Sequence, residues 1–82
     1  MELLATFFTY YGAMRFNKYC RKEKIPAKMA PVPRKLSASC GVCVRFEAEL
    51  APVIEEHEDM ELCYTVSPGN EYTPLPGRGE FA

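Results

Sequence analysis

The strongest constraint on the fold is the opening run Leu3-Leu4-Ala5-Thr6-Phe7-Phe8, apolar almost throughout and with no Gly or Pro to break it. A strand with one wet face alternates apolar and polar residues, so a short run without that alternation reads as a buried central strand. The rest of the chain must then provide partners for this strand and cover for its surface.

Thr9 is placed to cap a helix, and from Tyr10 to about Lys24 the residues Ala13, Phe16 and Cys20 recur at helical spacing. Arg15, Lys18, Arg21 and Lys22 fall at other angles, which makes this helix amphipathic. Ile25-Pro26 ends it, because proline disfavours helical geometry in the preceding residue and cannot donate to the helical ladder. Lys28 to Val32 fits an extended segment, and Pro31 and Pro33 place it at a sheet edge, where missing donors cost least. Arg34 to Gly41 has no apolar period, and Ser37, Ser39 and Gly41 favour local turns, so this stretch reads as a loop.

Val42, Val44 and Phe46 then alternate with Cys43, Arg45 and Glu47, the period-two pattern of a half-buried strand with Cys43 facing away from the core side. Leu50, Val53, Ile54 and His57 share one face of a helix expected from about Ala48 to Glu58, with Pro52 in its first turn. Met60, Leu62, Tyr64 and Val66 alternate in a last strand, with Cys63 on the opposite face, the side left open by the helices. The order βαββαβ with right-handed crossovers predicts an α+β ferredoxin-like plait, a four-stranded antiparallel sheet with both helices on one face. A βαβαββ order would use the same early elements. Residues 1–66 form the expected domain, and residues 67–82 read as a Pro/Gly-rich tail in which Pro68, Gly69, Pro74 and Pro76 exclude a stable element.

Eighty-two residues close one hydrophobic core and not two, and a domain this size buries only about 60% of the surface its unfolded chain exposes. A dimer or a bound partner would add stability. Net charge is −1, so no global positive field draws a nucleic-acid backbone. Eight of the ten basic residues precede position 36, whereas Glu55, Glu56, Glu58, Asp59 and Glu61 cluster later. Such runs are ordinarily solvated faces; the alternative is a basic end suited to an anionic partner. No apolar stretch approaches the ~20 residues of a membrane span, and the N-terminus lacks the pattern of a secretory leader, which places the expected protein in the cytoplasm. There, Cys20, Cys40, Cys43 and Cys63 are read as thiols, metal ligands or redox groups before structural disulfides.

Cys40-Gly41-Val42-Cys43 is the sharpest chemical feature. Two residues between thiols let both sulfurs reach one metal ion or close a small disulfide ring. Zinc or an iron–sulfur cluster takes four ligands, and this pair leaves two to be found among Cys20, Cys63 and His57 on three other elements, or on a second subunit. Cys40 has the better credentials as a nucleophile. It lies on a loop, precedes a glycine that admits close approach, and follows Arg34 and Lys35, whose positive charges favour a thiolate. A thiolate attacks sulfur or selenium donors directly and holds the extra atom with no cofactor. The plainer reading is an inert residue in a turn. Cys20, on the apolar stripe of its helix, reads as a buried structural thiol, Cys63 as an interface thiol, and His57 as solvated among acids.

The stretch Pro31-Val32-Pro33-Arg34-Lys35-Leu36-Ser37-Ala38-Ser39-Cys40-Gly41 resembles a family of small bacterial domains, domain of unknown function 3343, described as Se/S carrier protein-like. The likeness extends more loosely from Leu3 to about Val66. It implies selenium or sulfur handling, with the family signature falling on Pro33, Arg34, Ser37, Ser39, Cys40 and Gly41 and with Cys40 at the carrier position. Cys43 departs from the pattern, and the tail lies outside it. The expected function is therefore a carrier or accessory protein rather than a stand-alone enzyme: Cys40 takes sulfur or selenium from a donor protein and passes it to an acceptor. Arg34, Lys35, Ser37, Ser39 and Gly41 would bind the cargo, and Cys43 would release it by attacking Cys40. The competing reading is a small binding module, with zinc or an iron–sulfur cluster on Cys40 and Cys43, or with the basic helix docking a larger enzyme.

Overall fold

The computed structural model describes residues 1–48 and 59–75. Within them the chain forms β1 (Glu2–Phe7), α1 (Tyr10–Lys22), β2 (Ala27–Pro31), β3 (Val42–Glu47), β4 (Met60–Ser67) and β5 (Glu71–Pro74). All pairings are antiparallel, and the strands lie in the order β2-β3-β1-β4-β5. The fold is α+β, with β1 in the middle of the sheet as its sequence requires. Leu3, Ala5 and Phe7 face α1 with Ala13, Phe16, Cys20, Val44 and Phe46. Leu4 points the other way, into a second cluster with Cys43 and Tyr64.

The start of α1 follows from its sequence. Thr9 is extended, and its Oγ1 accepts the Gly12 N–H at 2.9 Å, satisfying one of the helix's orphan donors. Phe16 packs edge-on against Phe46 and tilted against Phe7, with ring centroids 5.0 and 5.5 Å apart. Lys24 takes a left-handed conformation (φ 61°) just past the helix, and the Ile25 N–H returns to the Cys20 carbonyl at 2.7 Å.

Both outer strands carry a proline where it does least harm. The Val32 N–H donates to Gly41 O and the Glu47 N–H to Pro26 O, each at 3.0 Å, so the even-numbered residues of β2 face β3. Pro31 therefore turns outward, and its missing donor costs no ladder bond. Across the sheet, the Leu75 N–H donates to Cys63 O at 2.9 Å, which turns Pro74 of β5 outward in the same way. Each edge thus loses a donor that another strand would need for pairing.

Two expectations change, and a third falls outside the described residues. The sheet has five strands and not four, because residues 67–74 are an ordered hairpin arm. Pro68 and Gly69 (φ 85°) take the central positions of a turn closed by Asn70 N–H to Ser67 O at 3.0 Å, and β5 follows. Residues read as breakers are thus the turn that makes the strand. The face of Cys63 is also reversed. Thr6 pairs with Leu62 and Phe7 with Met60, leaving Glu61 as the extra residue of a β-bulge. The bulge shifts the alternation, so Met60 and Cys63 both join the α1 side while Leu62, Tyr64 and Val66 join the other. Finally, α1 is the one helix among the described residues. The helix expected over Ala48 to Glu58, with His57, falls outside them but for Ala48.

Gly12 shows how closely α1 seats. A Cβ there would overlap the Cβ of Asp59, whose backbone carbonyl is itself held by the Phe8 N–H at 2.8 Å. Alanine outranks glycine in a helix by about 1 kcal/mol, but overpacking against a fixed neighbour costs about 1–3 kcal/mol. Gly12→Ala is expected to lower the unfolding free energy in urea; a rise would show that Asp59 yields freely.

Candidate functional site

The loop between β2 and β3 is laid across the face of the sheet that α1 leaves uncovered. Its base closes where the β2–β3 ladder ends, at the Val32–Gly41 bond, and a tight turn forms where the Leu36 N–H donates to Pro33 O at 3.0 Å. That turn directs Leu36, together with Val32, onto the cluster of Leu4, Cys43 and Tyr64. Two polar ties hold the loop on either side of Leu36. Lys35 Nζ donates to the Asn70 carbonyl at 3.3 Å, in the β4–β5 turn. Ser39 donates twice to the Glu61 carboxylate, from its N–H at 3.1 Å and its Oγ at 2.9 Å.

The four cysteines fall into two classes. Cys20, Cys43 and Cys63 are buried, and Cys40 is half-buried on the loop. Cys43 faces away from α1 as expected, but that side is a second core rather than an open surface. Its Sγ donates to the Pro31 carbonyl at 3.6 Å. Burial pushes the Cys43 thiol up, and the Arg45 charge offsets part of that rise. Burial also takes Cys63 to about 12 and Cys20 to about 11 from an ordinary 9.0. Among the described residues no group of three or more His, Cys, Asp or Glu side chains is placed to hold a metal ion.

The other loop residues divide by what they touch. Lys35 and Ser39 bind the body of the protein, whereas Arg34 and Ser37 are exposed and make no side-chain hydrogen bond within the described residues. Gly41 is exposed, has no positive φ, and a Cβ built on it would meet nothing within 4 Å. Among the described residues, packing does not call for a glycine there, and the space beside Cys40 is open.

Two participants were missed in the sequence. Glu61 sits in a run of acids that reads as solvated, and only the bulge turns it to the loop. Asn70 (φ 59°) lies in the stretch read as a tail, yet it binds Lys35 by its carbonyl and Arg45 Nη2 by its Oδ1 at 3.3 Å. Asparagine's tolerance of left-handed geometry after Pro-Gly was the available signal.

Outside the loop, α1 exposes Tyr10, Tyr11 and Met14 along with Arg15, Lys18 and Lys22, and the Arg15 guanidinium stands 5.7 Å from the centre of the Tyr11 ring. No helix of the described residues is long and apolar enough to cross a membrane.

The buried thiols set an alkaline limit. With Cys20 and Cys63 raised above the unfolded value of 9.0, the folded state holds more protons between pH 9 and their folded values. Their contribution is complete below pH 9 and is lost as pH rises through about 11 to 12. The urea midpoint is expected to fall over that window, and to fall less steeply in Cys63→Ala than in the parent chain. Equal slopes in the two proteins would show that Cys63 ionises freely when folded.

No curated protein and no solved structure matches the chain. A family model described as "Putative Se/S carrier protein-like" matches residues 2–62, from the central strand through the Cys40 loop to the bulge of β4. The chain belongs to this Se/S carrier protein-like family.

Proposed function

We propose that the protein carries sulfur or selenium on Cys40, taking the atom from a donor protein and handing it to an acceptor. The observation that carries this reading is the contrast among the cysteines: three are buried, and Cys40, which lies within the region the family model matches, is the one left half-open, beside a glycine with free space around it among the described residues. Loading is a thiolate displacement. The Cys40 thiolate attacks the outer sulfur of a donor persulfide, the new Cys40–sulfur bond forms, the donor's sulfur–sulfur bond breaks, and the donor cysteine leaves as thiolate. Delivery repeats the step with an acceptor nucleophile and regenerates the Cys40 thiolate. No net oxidation or reduction occurs in either transfer. Selenium in place of the outer sulfur follows the same path.

A single sulfur suffices for this cycle. Cys43 is buried in the cluster that Leu36 packs against, with a raised thiol pKa, which argues for a packing role and against release of cargo by attack on Cys40. Arg34, exposed and unpaired among the described residues, is available to an anionic cargo or partner, while Lys35 is partly committed to Asn70. A second reading, docking to a larger enzyme, draws on the exposed tyrosines and basic residues of α1, residue types enriched at protein interfaces. It is compatible with the first, since a carrier must meet both donor and acceptor.

Intact-mass measurement under non-reducing conditions, after incubation with a cysteine desulfurase and cysteine, tests the carrier reading. Wild type and Cys43→Ala are expected to gain one sulfur atom and Cys40→Ser none. Unmodified wild type, or equal loading of Cys40→Ser, would sink it.

A further inference from the structure

We propose that Glu61 is a positioning residue of this site, acting on Cys40 through Ser39; the proposal rests on the reading of Cys40 as the transfer thiol. Three observations converge on it. Glu61 is the unpaired residue of the β4 bulge, a distortion that re-aims a side chain out of strict alternation. Its carboxylate makes no ion pair among the described residues and instead accepts both the N–H and the hydroxyl of Ser39, at 3.1 and 2.9 Å. Ser39 is the residue before Cys40, so fixing its peptide and its side chain sets the path by which the chain presents the sulfur.

The chemistry of the tie favours a carboxylate. The two donors of Ser39 meet one carboxylate oxygen each, Oε1 and Oε2, whereas an amide in the same place would set an NH2 donor against one of them. The same charge lies near Tyr64, where it adds to burial in raising the phenol, so Glu61 reaches the loop and the second core together. With Lys35 tied to Asn70 at the other end, the loop becomes a strap over Leu4, Cys43 and Tyr64. Releasing the Glu61 end would free Cys40 from its fixed presentation and uncover Cys43.

A double-mutant cycle on the full-length chain decides this. Native protein is alkylated with iodoacetamide, and the rates at Cys40 and Cys43 are read by peptide mass spectrometry beside the thermal midpoint. Glu61→Ala is expected to speed Cys43 alkylation about tenfold with little change in midpoint, by loss of charge-assisted hydrogen bonds. Ser39→Ala should do the same in part, Ser39→Thr should match wild type because it keeps both donors, and Glu61→Ala/Ser39→Ala should be no faster than Glu61→Ala. Additive effects, unchanged rates in Glu61→Ala, or a Cys43 rate that rises only as the midpoint falls would each overturn the proposal. Sulfur uptake from sodium tetrasulfide and its release to cyanide then separate the two readings. Wild type that takes up no sulfur ends the carrier reading and the transfer role with it, while the alkylation cycle alone still judges whether Glu61 holds the loop. Wild type that loads and releases at the same rates as Glu61→Ala ends the positioning role and leaves the carrier reading standing.

Discussion

A central strand that is apolar on both faces sets the terms for the rest of this molecule. β1 sends Leu3, Ala5 and Phe7 to one side of the sheet and Leu4 to the other, and each of the four is almost wholly withdrawn from solvent. On one face α1 packs over β1, β2 and β3. Within the described residues, the other is covered by the β2–β3 loop, which therefore has to pack as well as hold Cys40.

That double duty explains the loop's construction. Leu36 supplies apolar contact with the sheet, Lys35 and Ser39 supply polar ties, and the segment between Ser39 and Val42 is left to present Cys40. A free, solvated arm would make the sulfur more accessible but less defined in position, and the proposed transfer depends on which sulfur is approached and from where. The buried cysteines are the complement of this arrangement. Cys20, Cys43 and Cys63 behave as small apolar residues, and burial disfavours their reactive thiolate forms.

The β4 bulge links the two layers. By inserting Glu61 it places Met60 and Cys63 on the α1 side of the sheet and Leu62 and Tyr64 on the loop side, so one irregularity serves both cores. It also delivers a carboxylate to Ser39. Both edges of the sheet, meanwhile, carry an outward proline, which removes a donor that an added strand would need.

Much of this was legible in the residues. The unalternated run at Leu3 to Phe8 determined a central strand, Thr9 and Ile25-Pro26 bracketed α1, the prolines near residue 31 marked an edge, and the Ser/Gly-rich stretch before Val42 marked the loop with Cys40 in it. These are local matters, settled by backbone sterics and by periodicities of 2 and 3.6 residues. Tertiary structure decided which face each β4 residue takes, because a bulge breaks the period on which sequence reading relies. It decided that Pro68-Gly69-Asn70 is a hairpin turn rather than the start of a tail, because breakers and turns share a composition and differ only in whether a partner strand is waiting. It also decided that Cys40 and Cys43, two residues apart in a suggestive motif, stand in different surroundings. Spacing limits how near two sulfurs can come, but only the packing of Leu36, Leu4 and Tyr64 determines which of them meets water.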